Sequence, residues 1–138
     1  MTKITKVKTG SKYEEIGSYS RVVAVDNWIY VSNTAGRNPE TAEMPEDPIE
    51  QTKQVLANIE SALAKVDATL ADVVRSRVFI TNPDNVSAVM SLIGASFKGV
   101  DPALTVTCPP LGGDVYEVEI EVTAYRAASQ AEIELIGP

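Results

Sequence analysis

The sequence predicts an α+β domain in which a mixed sheet of six strands carries two helices on one face. Three observations point there. The stretch YEVEIEVTAY, Tyr116 to Tyr125, alternates apolar and polar residues strictly, the period of a strand whose two faces meet different surroundings. Residues 49–66 instead repeat apolar side chains every three or four positions, the period of an amphipathic helix. Strand-like and helix-like runs also follow one another in the order β-β-β-α-β-α-β-β, and two helices can cover only one face of such a sheet.

Taken in order, residues 3–8 read as a first edge strand, and 10–20, GSKYEEIGSYS, as a loop rich in Gly, Ser and Tyr. RVVAVDNWIYVSN reads as a hairpin, two apolar runs joined at Asp26-Asn27. A loop with three prolines follows. The helix from Ile49 to about Val66 presents Val55, Leu56, Ile59, Ala62 and Leu63 on one side, with Asp47 before Pro48 as its N-cap. DVVRSRVFITN is a strand, and PDNVSAVMSLIGASF a second helix capped by Asn82 or Asp84. ALTVTC and YEVEIEVTAY complete the sheet. No repeat or linker divides the chain, so residues 1–138 form a single domain with a core of about 3–126 and a tail over 127–138.

The face left bare by the helices is unusual. Glu117, Glu119 and Glu121 share one side of the last strand. In 73–80 the alternation puts Val74, Ser76, Val78 and Ile80 on one side, with Val73, Arg75, Arg77 and Phe79 on the other. A half-apolar, half-charged sheet face without helices suggests burial against other subunits, where the glutamates meet Arg75 and Arg77.

Composition narrows the chemistry. The net charge of −7 leaves no basic stripe for nucleic acid. Histidine is absent, which removes Ser-His and Cys-His dyads and imidazole metal sites. Any reaction must run on carboxylates, hydroxyls, backbone groups and water. The only cysteine, Cys108, has no partner for an internal disulfide and no base beside it, so it reads as packing. With no signal-like or membrane-spanning run, the expected location is the cytoplasm.

Several stretches carry a resemblance: IGSYSRVV (16–23), IYVSN (29–33), DPIEQTKQVLANIESAL (47–63), LADVVRSRVFITN (70–82), DPAL (101–104) and EIEVTA (119–124). Their order and spacing resemble the YjgF/RidA (Rid) family of small deaminase-like proteins. The resemblance implies a chorismate-mutase-like fold, a homotrimer with the helices outside, and a small-molecule cleft at each subunit interface. It also implies hydrolysis of reactive imines or enamines, releasing ammonia without a metal or organic cofactor. On this resemblance Glu119 is the carboxylate that activates the water, Tyr19 closes the pocket, and Ser32 lines it.

The sequence departs from the family pattern at the pocket. Leu104 stands where the imine deaminases have the arginine that grips a substrate carboxylate, and Val106 stands at a position often held by cysteine. Asn33 replaces a common glycine. These departures imply a divergent subgroup whose substrate is not a simple 2-imino acid. Arg37, read as a solvated loop residue, and Arg77, read as pairing with a strand glutamate, are the alternative cations. The leading function is an imine or enamine hydrolase (deaminase) acting on a small metabolite. A non-catalytic trimeric binding or chaperone-like protein is the alternative. An endoribonuclease or translation inhibitor is disfavoured by the acidic balance.

Overall fold

The computed structural model describes residues 1–138. Its strands are β1 (Ile4–Val7), β2 (Val22–Val25), β3 (Trp28–Ala35), β4 (Val73–Ile80), β5 (Ala103–Thr107) and β6 (Val118–Tyr125). Its helices are α1 (Lys12–Gly17), α2 (Pro48–Ala64) and α3 (Val86–Ser96). The six strands form one sheet in the order β1-β2-β3-β6-β4-β5. Only β4 and β5 run parallel, joined through α3, as a parallel pair needs a crossover.

The long helix starts where its sequence says. The Asp47 carboxylate accepts the Glu50 amide at 3.0 Å, and Pro48 fills the first turn. Val55, Leu56, Ile59 and Leu63 of α2, with Val89 and Ile93 of α3, then bury against Ile29, Val31, Val78, Ile80, Ile120 and Val122 of the sheet. Removing these side chains from water is the main driving force for closing the helices onto the strands.

Two local expectations are corrected. The stretch 10–20 is not all loop: α1 forms there, capped by Ser11, whose hydroxyl accepts the Tyr13 amide at 3.2 Å. Its Glu14 carboxylate is buried and accepts the Thr9 amide at 2.9 Å and the Thr9 hydroxyl. In β4, Val73 faces the core and Val74 is 37% exposed, the reverse of strict alternation. The cause is a register shift against β6 between Val73 and Arg75, an extra residue that turns the strand over. From Arg75 onward the expected faces hold, with Ser76, Val78 and Ile80 inward.

The bare face reads row by row from the strand register. Ile4, Val25, Trp28 and Tyr125 form an apolar row across β1, β2, β3 and β6. Lys6, Val23, Tyr30, Thr123 and Arg75 come next. Glu121 beside Arg77, then Glu119 beside Phe79, complete it.

Gln51 ties α2 to the sheet. It is fully buried; its amide donates to the carbonyls of Pro45 at 2.7 Å and Val115 at 2.6 Å, and its oxygen accepts the amides of Glu117 and Val118. Gly36 lets β3 pass this point, because a Cβ there would lie 2.5 Å from the Gln51 carbonyl oxygen. Asp72 anchors the chain end, accepting the amides of Thr69 at 3.0 Å and Ser129 at 2.9 Å. Burial pushes its carboxyl up, but the amides and hydroxyls of Ser129 and Thr69 outweigh that and hold it below the usual range.

Three outcomes follow for stability. Gly36→Ala destabilises by about 1–3 kcal/mol through overpacking. Gln51→Leu costs more, on the order of 3 kcal/mol, by orphaning buried backbone groups. Both are read from urea unfolding. Asp72→Asn costs about 1–3 kcal/mol at neutral pH. Because the folded carboxyl sits below its unfolded value, its stabilisation is present above the unfolded pKa and is lost as pH falls through the folded one. The gap between the natural and variant chains therefore narrows in acid.

Candidate functional site

A cleft of about 740 Å3 lies between the 9–21 segment, the end of β3, the loop after it and one side of α2. Glu119, Tyr19, Arg21, Asn33, Asn58 and Tyr116 are among the residues that line it. What brings them together is an irregularity in β3. Val31 pairs with Val122 but Thr34 pairs with Ile120, so Ser32 and Asn33 together oppose the single residue Glu121. The bulge switches the inward side from Ile29 and Val31 to Thr34. It also aims Asn33 at Glu119, whose carboxylate accepts the Asn33 amide at 2.8 Å.

Arg21, immediately before β2, closes over the same bulge. Its Nη1 donates to the carbonyls of Ser32 at 3.3 Å and Asn33 at 3.0 Å and to the Thr34 hydroxyl at 3.1 Å. Its Nη2 reaches the Tyr19 hydroxyl at 3.4 Å, and the guanidinium carbon stands 5.6 Å from the Tyr19 ring centre. Nε makes no hydrogen bond within the chain, and Nη2 uses one of its two N–H groups on Tyr19.

Tyr19 is held from behind. Its amide donates to the Glu14 carbonyl at 3.0 Å, and Lys8 donates to the Tyr19 carbonyl at 2.6 Å. Gly17 leaves room for the ring, since a Cβ there would come 2.9 Å from it. Burial pushes the Glu14 carboxyl up, yet the Thr9 hydroxyl and amide, then Arg21 and Lys8, outweigh it and hold it low. Arg21 thus acts on a second carboxylate besides Glu119.

Glu119 is the opposite case. Half-burial pushes its carboxyl up, and neither the Asn33 hydrogen bond nor the Arg21 charge fully offsets that. A carboxyl with a raised pKa in a cleft is suited to proton transfer.

The other two glutamates of the strand have separate partners. Glu117 accepts the Thr81 hydroxyl at 3.2 Å, and Glu121 pairs with Arg77 at 3.4 Å. Arg75 donates to the Thr105 hydroxyl at 3.3 Å. These contacts form within one chain.

Of the residues singled out from sequence, Glu119 and Tyr19 meet in the cleft. Ser32 stands one step behind it, its hydroxyl bonded to the Ser20 carbonyl at 2.7 Å. Leu104 and Val106 do not join them within the chain. Both lie on the edge strand β5, in register with Ser76 and Val78 on the helix side of the sheet. Arg37 borders the cleft, donating to the Ala42 carbonyl at 2.8 Å. Cys108 is exposed rather than packed, because β5 ends before it at the sheet's edge. The cation whose charge acts on Glu119 is Arg21, two residues after Tyr19, which no pattern in the sequence marks as a site residue. No group of three or more His, Cys, Asp or Glu side chains could hold a metal ion, and no helix is long and apolar enough to cross a membrane.

The profile of the Endoribonuclease L-PSP family matches residues 9–126, most of the chain. The chain belongs to this family, that of the YjgF/RidA proteins. A RutC family protein of Pyrococcus abyssi is 34% identical over 113 residues, 80% of this chain and 88% of the relative. A 2-iminobutanoate/2-iminopropanoate deaminase of Capra hircus is 32% identical over 124 residues, 87% of this chain and 88% of that protein. The crystal structure of a YjgF/YER057c/UK114 family member from Mycobacterium tuberculosis superposes with a TM-score of 0.81 at 32% identity, covering 89% of this chain and 99% of that one. The six-stranded mixed sheet is therefore the YjgF fold, with α1 as a third, short helix beside the two expected. In this YjgF/RidA chain the cleft draws its carboxylate from the central strand β6 and its guanidinium from the start of β2.

Proposed function

We propose that the protein is a cofactor-free hydrolase of C=N bonds, a deaminase for a small anionic imine or its enamine tautomer. The observation that carries this reading is the pairing of a half-buried, raised carboxyl at Glu119 with the Arg21 guanidinium, whose Nε–H is unpaired within the chain, in one cleft. The named activity of the goat relative and others like it supports the reaction class.

The geometry suits the chemistry. Arg21 holds the substrate's anionic group, and Asn33 orients the Glu119 carboxylate. Glu119 takes a proton from water as the oxygen attacks the imine carbon, while the C=N π pair moves to nitrogen, which takes up a proton from solvent. The carbinolamine then collapses: Glu119 gives its proton to nitrogen, the C–N bond breaks as the hydroxyl releases its proton to solvent and becomes the carbonyl, and ammonia and a carbonyl product leave. An imine carbon is already electrophilic, so positioning one water and one base is a large part of the work.

We also infer a homotrimer, on the family resemblance and the bare sheet face. Leu104 and Val106 act at the cleft on this reading only where β5 of a neighbouring copy borders it. Light scattering tests the assembly, and a stable monomer sinks it.

Ammonia release from freshly generated 2-aminoacrylate and from bulkier imines tests the activity. Glu119→Gln should lower turnover by about 100-fold or more. It should leave the melting temperature at neutral pH unchanged or raised, because a folded pKa above the unfolded one makes the ionised form oppose folding. For the natural protein, kcat/KM should fall on the acid side with a midpoint above the ordinary glutamate value. An intact fold that binds imines without turnover would favour a binding role instead.

Arg21→Gln should raise KM for carboxylate-bearing imines by about 10–100-fold, the worth of one charge-assisted contact. Uncharged imines should be little affected. An equal loss on both classes would mean that Arg21 only supports the bulge.

A further inference from the structure

Two arginines stand together on the bare face of the sheet with too little negative charge beside them. Arg75 and Arg77 share one side of β4, two residues and about 7 Å apart along the strand. Like charges so close repel, and carboxylates opposite them would offset this. Across β6 the register gives Arg77 such a neighbour, Glu121, but gives Arg75 only the hydroxyl of Thr123. On the other flank β5 sets Ala103 beside Arg75 and Thr105 beside Arg77.

The two guanidiniums reach the same level of the sheet. Arg75 Nη1 donates to the Thr105 hydroxyl at 3.3 Å, and Thr105 is in register with Arg77, so Arg75 leans one row forward. That is its one hydrogen bond within the chain, and it has no ion-pair partner there. Arg77 Nη1 stands 3.4 Å from Glu121 Oε1, longer than the ~2.7–2.9 Å of a charge-assisted hydrogen bond. Beside these side chains lies a hollow of about 230 Å3, lined by Arg75, Arg77, Glu121, Val122 and Thr123. Two guanidiniums against one carboxylate leave it positive, in a chain whose net charge is −7. It shares no lining residue with the cleft that holds Glu119 and Arg21.

We propose that this hollow binds a phosphate group, either inorganic phosphate or the phosphate of a small phosphomonoester. Arg75 keeps Nε and Nη2 for a ligand, and Arg77 exchanges its long contact with Glu121 for shorter ones to the anion. A phosphate has enough oxygens to accept from both forks at once, whereas a lone carboxylate is filled by one fork. The Thr123 hydroxyl lies within the same hollow as a further donor. Glu121 faces the anion too and competes with it for Arg77, which keeps the binding weak and reversible. The site is independent of the hydrolase reading. Where copies associate through this face, as inferred above, the same cations are enclosed, and leaving them unpaired costs more.

Calorimetric titration of the full chain with inorganic phosphate, at neutral pH and with ionic strength held by chloride, tests the site. Saturable binding is expected with a Kd on the order of 1 mM. Arg75→Gln and Arg77→Gln, each checked for native circular dichroism, should weaken it by about tenfold or more. Glu121→Gln should tighten it by about threefold, because a like charge is removed and Arg77 is freed. Arg21→Gln, in the cleft, should leave it unchanged. Tighter binding of glycerol phosphate than of inorganic phosphate marks a phosphorylated metabolite as the ligand, and equal affinity marks free phosphate. Absence of saturable binding overturns the proposal, as does unchanged affinity in either the Arg75 or the Arg77 variant. Weaker binding in Glu121→Gln also overturns it, since the carboxylate would then be helping the anion to bind.

Discussion

Everything at the cleft depends on the extra residue that β3 carries opposite Glu121. A regular ladder would keep the side chains after Val31 in alternation, and Asn33 would have no reason to meet the carboxylate of β6. With Ser32 and Asn33 set against one partner, the strand twists, exposes two backbone carbonyls, and turns Thr34 inward. Those carbonyls and the Thr34 hydroxyl are what Arg21 grasps. The guanidinium is thus oriented by the fold, which would lower the entropic cost of any contact it makes with a ligand.

The row of three carboxylates on β6 resolves into three different environments. Glu121 has an arginine in the neighbouring strand, Glu117 has a hydroxyl at the strand's start, and Glu119 has an amide and partial burial. At Glu119 burial outweighs those partners. In a chain without histidine, that is a physical route to a proton acceptor with a pKa above the ordinary carboxylate range. The contrast with Glu14 makes the same point: two hydrogen bonds from Thr9 keep that carboxyl charged despite near-complete burial.

Much of this was legible before the fold was seen. The period-two run of β6 and the three-to-four spacing of α2 are long enough to declare themselves, and Asp47-Pro48 marks a helix start by its chemistry alone. The short α1 was not legible, because six residues hold under two turns and its one buried side chain is a glutamate. The reversal of Val73 and Val74, and the bulge that makes the site, are register shifts between strands far apart in sequence. No local pattern announces them. Arg21 was not legible for the same reason: two of its partners are backbone carbonyls across a hairpin, and backbone groups leave no trace in the sequence. Leu104 and Val106 were readable as departures but not as positions, since parallel pairing with β4 decides which side of the sheet they take.

The place of β6 in the sheet has a consequence for how the chain comes into being. It is the last strand to be synthesised, yet it lies in the middle, between β3 and β4. Without it, the β1-β2-β3 meander and the β4-β5 pair have no strand pairing to each other, and each presents an open edge. Joining the halves therefore rests on long-range contacts, the kind that form slowly. Because Glu119 rides on that strand, the pairing that completes the sheet also places the carboxylate of the cleft.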